Sequence, residues 1–216
     1  MGIVAPTKTW NPACFTPLSF EFKRSERFFC MDSAKNSLDF IAEFWVIDAT
    51  ILLASEKIAK KNTDMPIWIT GIGQKTTSAG FTKNESLFSM NSSKQASESA
   101  LKMANKNISQ VDVAEIHDAF SVCEPMALEA IGFTNQGEGM SLVKNLHETN
   151  NFKINSRGGL IGCGHPLGAT GISQTIEIVQ QLQQSAEGRQ VDNPEIGLVH
   201  NMSAAATSST VLVLEK

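Results

Sequence analysis

Residues 155–182 read NSRGGLIGCGHPLGATGISQTIEIVQQL: a glycine-dense loop that carries one histidine, His165, and runs straight into an amphipathic helix. The glycines allow tight turns and a close approach of backbone to ligand, and Pro166 fixes the bend just after the imidazole. Ile172, Ile176, Val179 and Leu182 then recur at helical spacing, so the loop is expected to hold His165 above a helix N-terminus. Backbone N–H groups point outward at such an end, which suits an oxyanion or a thioester carbonyl. The same loop would also serve as a tight surface turn with an incidental histidine, and the stretch alone leaves both readings open.

Outward from this stretch, apolar runs alternate with amphipathic ones. VAEIHDAF (113–120) reads as a strand whose end delivers His117 and Asp118. SVCEPMALEAIGF (121–133) follows as a helix, with Ser121 or Asp118 as cap, Pro125 in its first turn and Gly132 at its close. TNQGEGMSLVKNLHETNNF (134–152) reads as irregular and exposed, His147 included. PEIGLVHNM (194–202) and STVLVLEK (209–216) are two strands with a short connection, expected to form an antiparallel hairpin at the sheet edge.

Upstream, VIDATILLAS (46–55) and PIWITGIG (66–73) read as buried strands. SEKIAKKN (55–62) is a short helix with Ser55 as cap. SKQASESALKMANKN (93–107) is a helix with Ala96, Ala100, Leu101 and Ala104 turned inward. Residues 1–45 show no sustained period and carry three prolines in the first 17, so they are expected to be irregular or partly helical, with a short helix over Ser33–Trp45. Strands alternating with helices predict an α/β layered sheet. In such sheets functional residues gather at strand ends, and His117, His165 and His200 all fall at such ends or in the adjoining loop.

Composition sets limits on function. With 216 residues, 42% hydrophobic, 19% charged and a net charge of −4, the chain is an ordinary globular protein of one domain or one domain and part of a second. Mild acidity gives no general reason to bind nucleic acid or an anionic membrane. No apolar run is long enough to span a bilayer, and the N-terminus lacks the apolar core of a secretory signal, so a cytoplasmic location is expected. Cys14, Cys30, Cys123 and Cys163 have neither zinc nor disulfide spacing and read as reduced thiols. No metal site is expected.

RGGLIGCGHPLGATG resembles the histidine motif of the thiolase superfamily, GGxxxxGHPxGATG. DATILLASEKIAKK is similar to the last strand and helix of that family's N-terminal half, and HDAF and HNM stand where the archaeal and sterol-carrier-protein types carry their own versions. The resemblance implies a thiolase-like C-terminal domain over residues 46–216, with 46–62 left from the N-terminal half and 1–45 divergent. The implied sheet is mixed parallel and antiparallel with helices on both faces.

The implied activity is acyl transfer on acyl-CoA thioesters, with coenzyme A thioesters as substrates and no permanently bound cofactor. By motif, His165 would activate the nucleophile and donate to an enolate oxygen, while His117 would hold the water or carbonyl of that oxyanion site. Asp118 would orient the loop.

Departures from the family pattern are equally specific. The family's nucleophilic cysteine lies in a half for which this chain has no room, and NPACFTP around Cys14 lacks the small residues that follow it. Ala119 stands where sterol-carrier-type enzymes place a second, acid–base cysteine, and Ser203-Ala204 replace paired glycines of an oxyanion hole. The expectation is a truncated or split thiolase, or a catalytically inactive CoA-binding or scaffold subunit. Expected partners are acyl-CoA, a second copy or a chain carrying the missing half, and by resemblance a zinc-ribbon/OB-fold companion.

Overall fold

The computed structural model describes residues 2–4, 49–78, 89–149 and 153–216, which belong to one compact unit formed by Met1–Ala5 and Ala49–Lys216. The helix expected over Ser33–Trp45, and Cys14 and Cys30, lie outside the described residues.

Six strands form one sheet: β1 (Gly2–Val4), β2 (Leu52–Ala54), β3 (Ile67–Thr76), β4 (Val113–Glu115), β5 (Ile196–Met202) and β6 (Ser208–Glu215). Their order across the sheet is β2-β1-β3-β6-β5-β4. β4 and β5 run parallel, and the remaining pairs are antiparallel. The helices are α1 (Glu56–Asn62), α2 (Asn91–Ala104), α3 (Cys123–Ile131), α4 (Gly139–Glu148), α5 (Gly159–Cys163) and α6 (Thr170–Leu182).

Strand alternation sorts the core into two layers. Ala114, Ile116, Leu198, Val211 and Val213 pack on Ala96 and Ala100 of α2 and Ala127 and Leu128 of α3. Val113, Val199 and Leu214 point the other way, onto Ile178, Val179 and Leu182 of α6. Burying each large aliphatic side chain here stabilises by ~2 kcal/mol. This is the α/β mixed sheet, helices on both faces, that the resemblance implied.

Two glycines set how closely α2 lies on the sheet. A Cβ on Gly71 would sit 2.2 Å from the Ala100 carbonyl oxygen, and one on Gly73 would sit 1.9 Å from that of Ala96. Only a residue without Cβ permits this spacing.

Several expectations are corrected. The β5–β6 hairpin lies inside the sheet, because β3 pairs with β6 and β4 with β5. Of the strand expected over 46–55, residues 46–48 lie outside the described residues; in the rest the strand is Leu52–Ala54, at the sheet edge, with Leu52 and Leu53 exposed. Gly2–Val4, in the segment read as irregular or partly helical, pairs with both β2 and β3. Helix α4 occupies the stretch read as irregular; Leu142, Val143 and Leu146 form a half-buried apolar stripe at helical spacing, and Leu142 and Val143 pack against the core layer of α2 and α3. Neither Ser121 nor Asp118 caps α3, whose N-cap position is Val122.

Helix α6 also differs from its apolar stripe. Ile172 and Ile176 are half-buried, while the buried face includes Gln174, Glu177 and Gln181. Those polar groups are buried because each has partners. Arg189 donates to both Glu177 carboxylate oxygens, and the Gln181 side chain bonds the backbone of Arg189 and Val191. Among the described residues, no helix is long and apolar enough to cross a membrane.

Candidate functional site

β4 and β5 run parallel with Glu115 opposite Val199, so two residues further on His117 comes level with Asn201. Side chains two apart along a strand share a face, and Glu115 and His117 both turn toward the layer that holds α6. Asn201 meets His117 there, its Nδ2 lying 3.2 Å from the imidazole Nδ1.

The loop from Asn155 is tied to β4 and the residues after it at three points. Asn155 Oδ1 accepts the Ile116 N–H at 2.7 Å, and its Nδ2 donates to Glu124 at 3.0 Å. Asp118 Oδ1 accepts the Leu160 N–H at 2.6 Å, in the first turn of α5. Gly159 is pressed against that carboxylate with φ +62°, and a Cβ there would lie 2.0 Å from Asp118 Oδ2. Arg157 supplies the third tie, with Nε 3.0 Å from the buried carboxylate of Glu115 and Nη1 on the Ser173 hydroxyl. Burial pushes the Glu115 carboxyl up to about 8, with the Arg157 guanidinium pulling the other way.

The loop so anchored places His165 edge-to-face with His117, with ring centroids 4.8 Å apart and planes at 89°. His165 is half-buried and His117 buried. The His165 Nδ1 lies 2.8 Å from the Thr170 hydroxyl, which donates its proton to the Pro166 carbonyl at 3.1 Å. With its own proton on the Pro166 carbonyl, Thr170 accepts from an Nδ1–H, so in the neutral ring the His165 Nε2 is the acceptor nitrogen. Burial, then the neighbouring His165, lowers the His117 pKa to about 4, so its ring is neutral at pH 7.

His200 lies elsewhere. It follows Val199 and precedes Asn201, so its side chain leaves the opposite face of β5 and reaches Ser93 of α2 at 2.9 Å. In the last loop Ser203 has ordinary extended backbone, and the left-handed conformation falls on Ala205 (φ 58°) and Ala206 (φ 51°).

The remaining candidates separate from the pair. Cys163 is exposed, its Sγ 3.0 Å from the Arg157 carbonyl. Cys123 is buried, and burial pushes its thiol up. His147 is exposed on α4. Two cavities, of about 170 and 120 Å³, lie beside α4 and the 153–158 segment, and neither is lined by His117 or His165. Phe120 and Val122, which follow His117 in the chain, and Ile161 and Leu167, which lie on either side of His165 in sequence, are exposed. Among the described residues, no cluster of His, Cys, Asp and Glu could hold a metal ion.

Sequence reading missed Arg157, Glu115, Thr170 and Gln174. Glu115 was within reach of it, because it lies two residues before His117 on a strand. Gln174 sits on a helix face that its polarity made look solvent-exposed.

A mixed sheet clasped between helices, with His117 just past parallel strand β4 paired to His165 of the glycine loop, defines the class of this chain. The family model described as Thiolase C-terminal domain-like matches residues 73–216, and the chain belongs to that family. It is 31% identical over 170 residues to an acetyl-CoA acetyltransferase of Methanothermobacter thermautotrophicus, covering 78% of this chain and 44% of that protein. It is 35% identical over 161 residues to sterol carrier protein 2 of Bos taurus, covering 71% and 30% respectively. The chain thus spans less than half the length of these relatives. Among solved structures, the Ltp2-ChsH2(DUF35) aldolase matches with a TM-score of 0.59 and 18% identity over 69% of this chain and 39% of that one, a likeness of fold.

Proposed function

We propose that this domain supplies the two-histidine half of a thiolase-type acyl-CoA site, and that the nucleophilic cysteine comes from a separate N-terminal half. The observation that carries this reading is the perpendicular His117–His165 pair, 4.8 Å apart, built from two motifs 48 positions apart in the sequence, the difference between 165 and 117. His165, with Nε2 unprotonated, takes the proton of the cysteine thiol. The thiolate attacks the thioester carbon, the bond from that carbon to the CoA sulfur breaks, and the CoA thiolate recovers the proton from His165. In the condensation step His165 Nε2, bare again, takes the α-proton of the second acyl-CoA, and the protonated ring and His117 donate to the resulting enolate oxygen. Preorganised donors of this kind are each worth ~3–4 kcal/mol at a transition state.

The partner would cover Phe120 and Val122, which follow His117 in the chain, and Ile161 and Leu167, on either side of His165 in sequence, all four exposed and apolar. Either a second copy or a chain with the missing half fits this role. The DUF35 component named in the related aldolase is compatible with a zinc-ribbon/OB-fold companion.

A second reading is favoured by Ala119 and by the absence of glycine at Ser203–Ala206: a catalytically inactive subunit that still grips acyl-CoA. One assay separates the two. Acyl-CoA thiolysis is measured with the chain alone and mixed with a candidate N-terminal half, alongside calorimetry of acyl-CoA binding. Turnover only in the mixture is expected. Binding without turnover in any mixture selects the inactive subunit. Turnover by the chain alone that survives Cys14→Ala and Cys163→Ala overturns the assignment of the nucleophile.

A further inference from the structure

We infer that Asn201 and Gln174 are positioning residues that hold His117 as its Nε2–H tautomer, making the buried imidazole a hydrogen-bond donor beside the acceptor nitrogen of His165. The direction of the chain is forced from one end. The His200 backbone carbonyl can only accept, and the Gln174 side chain reaches it at 3.3 Å, so Gln174 must present its Nε2 there. Its Oε1 then faces Asn201 at 3.0 Å and can only accept, so Asn201 must present Nδ2. That same Nδ2 reaches His117 Nδ1 at 3.2 Å with its second proton. A donor aimed at Nδ1 requires that nitrogen to be bare, and in a neutral imidazole the proton is then on Nε2.

Reversing either amide would set two acceptors or two donors against each other in a buried place. Gln174 is fully buried, so an unmatched amide there would carry its whole desolvation penalty. The carbonyl of one strand residue thus sets, through two side-chain amides, which nitrogen of His117 carries hydrogen. His165 takes the opposite assignment from Thr170. Two neighbouring rings of the same chemistry are thereby given different roles, one donating and one accepting. The catalytic consequence rests on the function proposed above; the assignment of the proton does not.

The test is a long-range ¹H–¹⁵N correlation spectrum at pH 7 of the full chain labelled with ¹⁵N-histidine. The chain has four histidines, so single His→Gln variants assign the rings. For His117 the expected pattern is an unprotonated Nδ1 and a protonated Nε2, with the reverse for His165. Asn201→Asp, which replaces the donor by an acceptor, moves a proton onto His117 Nδ1. Gln174→Met releases the Asn201 amide, and both His117 tautomers become populated in comparable amounts.

A purely structural role for Asn201 and Gln174 would leave the tautomer pattern untouched. A protonated Nδ1 on His117 in the unsubstituted protein overturns the inference, as does a folded Asn201→Asp variant whose Nδ1 stays bare. If Asn201→Asp fails to fold, the unsubstituted spectrum and Gln174→Met still decide. Expected tautomers without acyl-CoA turnover leave this inference standing and remove the proposed function; inverted tautomers with turnover do the opposite.

Discussion

Two neighbouring residues of β5 have histidine chemistry on opposite faces of one sheet. On the α6 face, Asn201 holds His117 against a half-buried His165. On the α2 face, His200 is fully buried and ends a chain of hydroxyls. Ser92 Oγ donates to the Ala206 carbonyl at 2.5 Å, so it accepts from Ser209 at 2.7 Å. Ser209 then accepts from Ser93 at 2.9 Å, and Ser93 accepts from His200 Nε2 at 2.9 Å. Each hydroxyl is committed as both donor and acceptor. The lesson is that a histidine at a strand end is not thereby reactive: the alternation of the strand decides whether it meets another imidazole or a run of serines.

The comparison breaks most readily at the His117–His165 pair. Under the proposed function, His165→Ala and His117→Ala should each lower acyl-CoA turnover with the partner half present by ~10²–10⁴-fold, the usual worth of a positioned acid, base or oxyanion donor. His165→Ala should do so with an almost unchanged Tm, since that ring is half-buried; an equal loss from His200→Leu at unchanged stability would erase the distinction. On the other face the cost appears as stability. His200→Leu and Ser209→Ala strand buried hydroxyls, and each should lower the unfolding free energy in urea by ~1–3 kcal/mol.

Acid sharpens the contrast further. Burial lowers His117 to about 4 and His200 to about 3, both below the ordinary 6.5 of an unfolded histidine. The unfolded chain binds more protons between those values, so this stability is complete above pH 6.5. It is lost progressively as the pH falls toward 4 for His117 and toward 3 for His200. Urea midpoints should therefore drop through that window, and less steeply in His117→Asn; a flat profile would mean the rings are already charged in the folded protein. The smallest expected change is a gain. Ala205 adopts φ 58°, a left-handed conformation that costs a residue with Cβ ~1–2 kcal/mol. Ala205→Gly should recover up to ~1 kcal/mol of it, read as a rise in Tm.

Much of this was legible in the chain. GHPLGATG and HDAF located the two rings and the family, and the alternation of apolar runs gave the layered sheet. What escaped had a common physical origin. Gln174, Glu177 and Gln181 look like the wet side of a helix, yet they are buried because Arg189, Val191 and Asn201 satisfy them from segments distant in sequence. Period counting sees polarity, not partners. The position of the last hairpin was likewise invisible: its strands pair outward with β3 and β4, and nothing local to the hairpin records this. The left-handed turn at Ala205 and Ala206 went unread because alanine gives no sign of an unusual backbone.

The bare strand at Gly71 and Gly73 has a mechanical consequence. With the carbonyls of Ala96 and Ala100 set so near that strand, α2 can neither slide along its axis nor roll on the sheet without collision. That side of the molecule is a rigid chassis. Any breathing that admits a ligand to the paired rings has to arise in the opposite layer, where loop and helix are joined to the sheet by side chains that can let go.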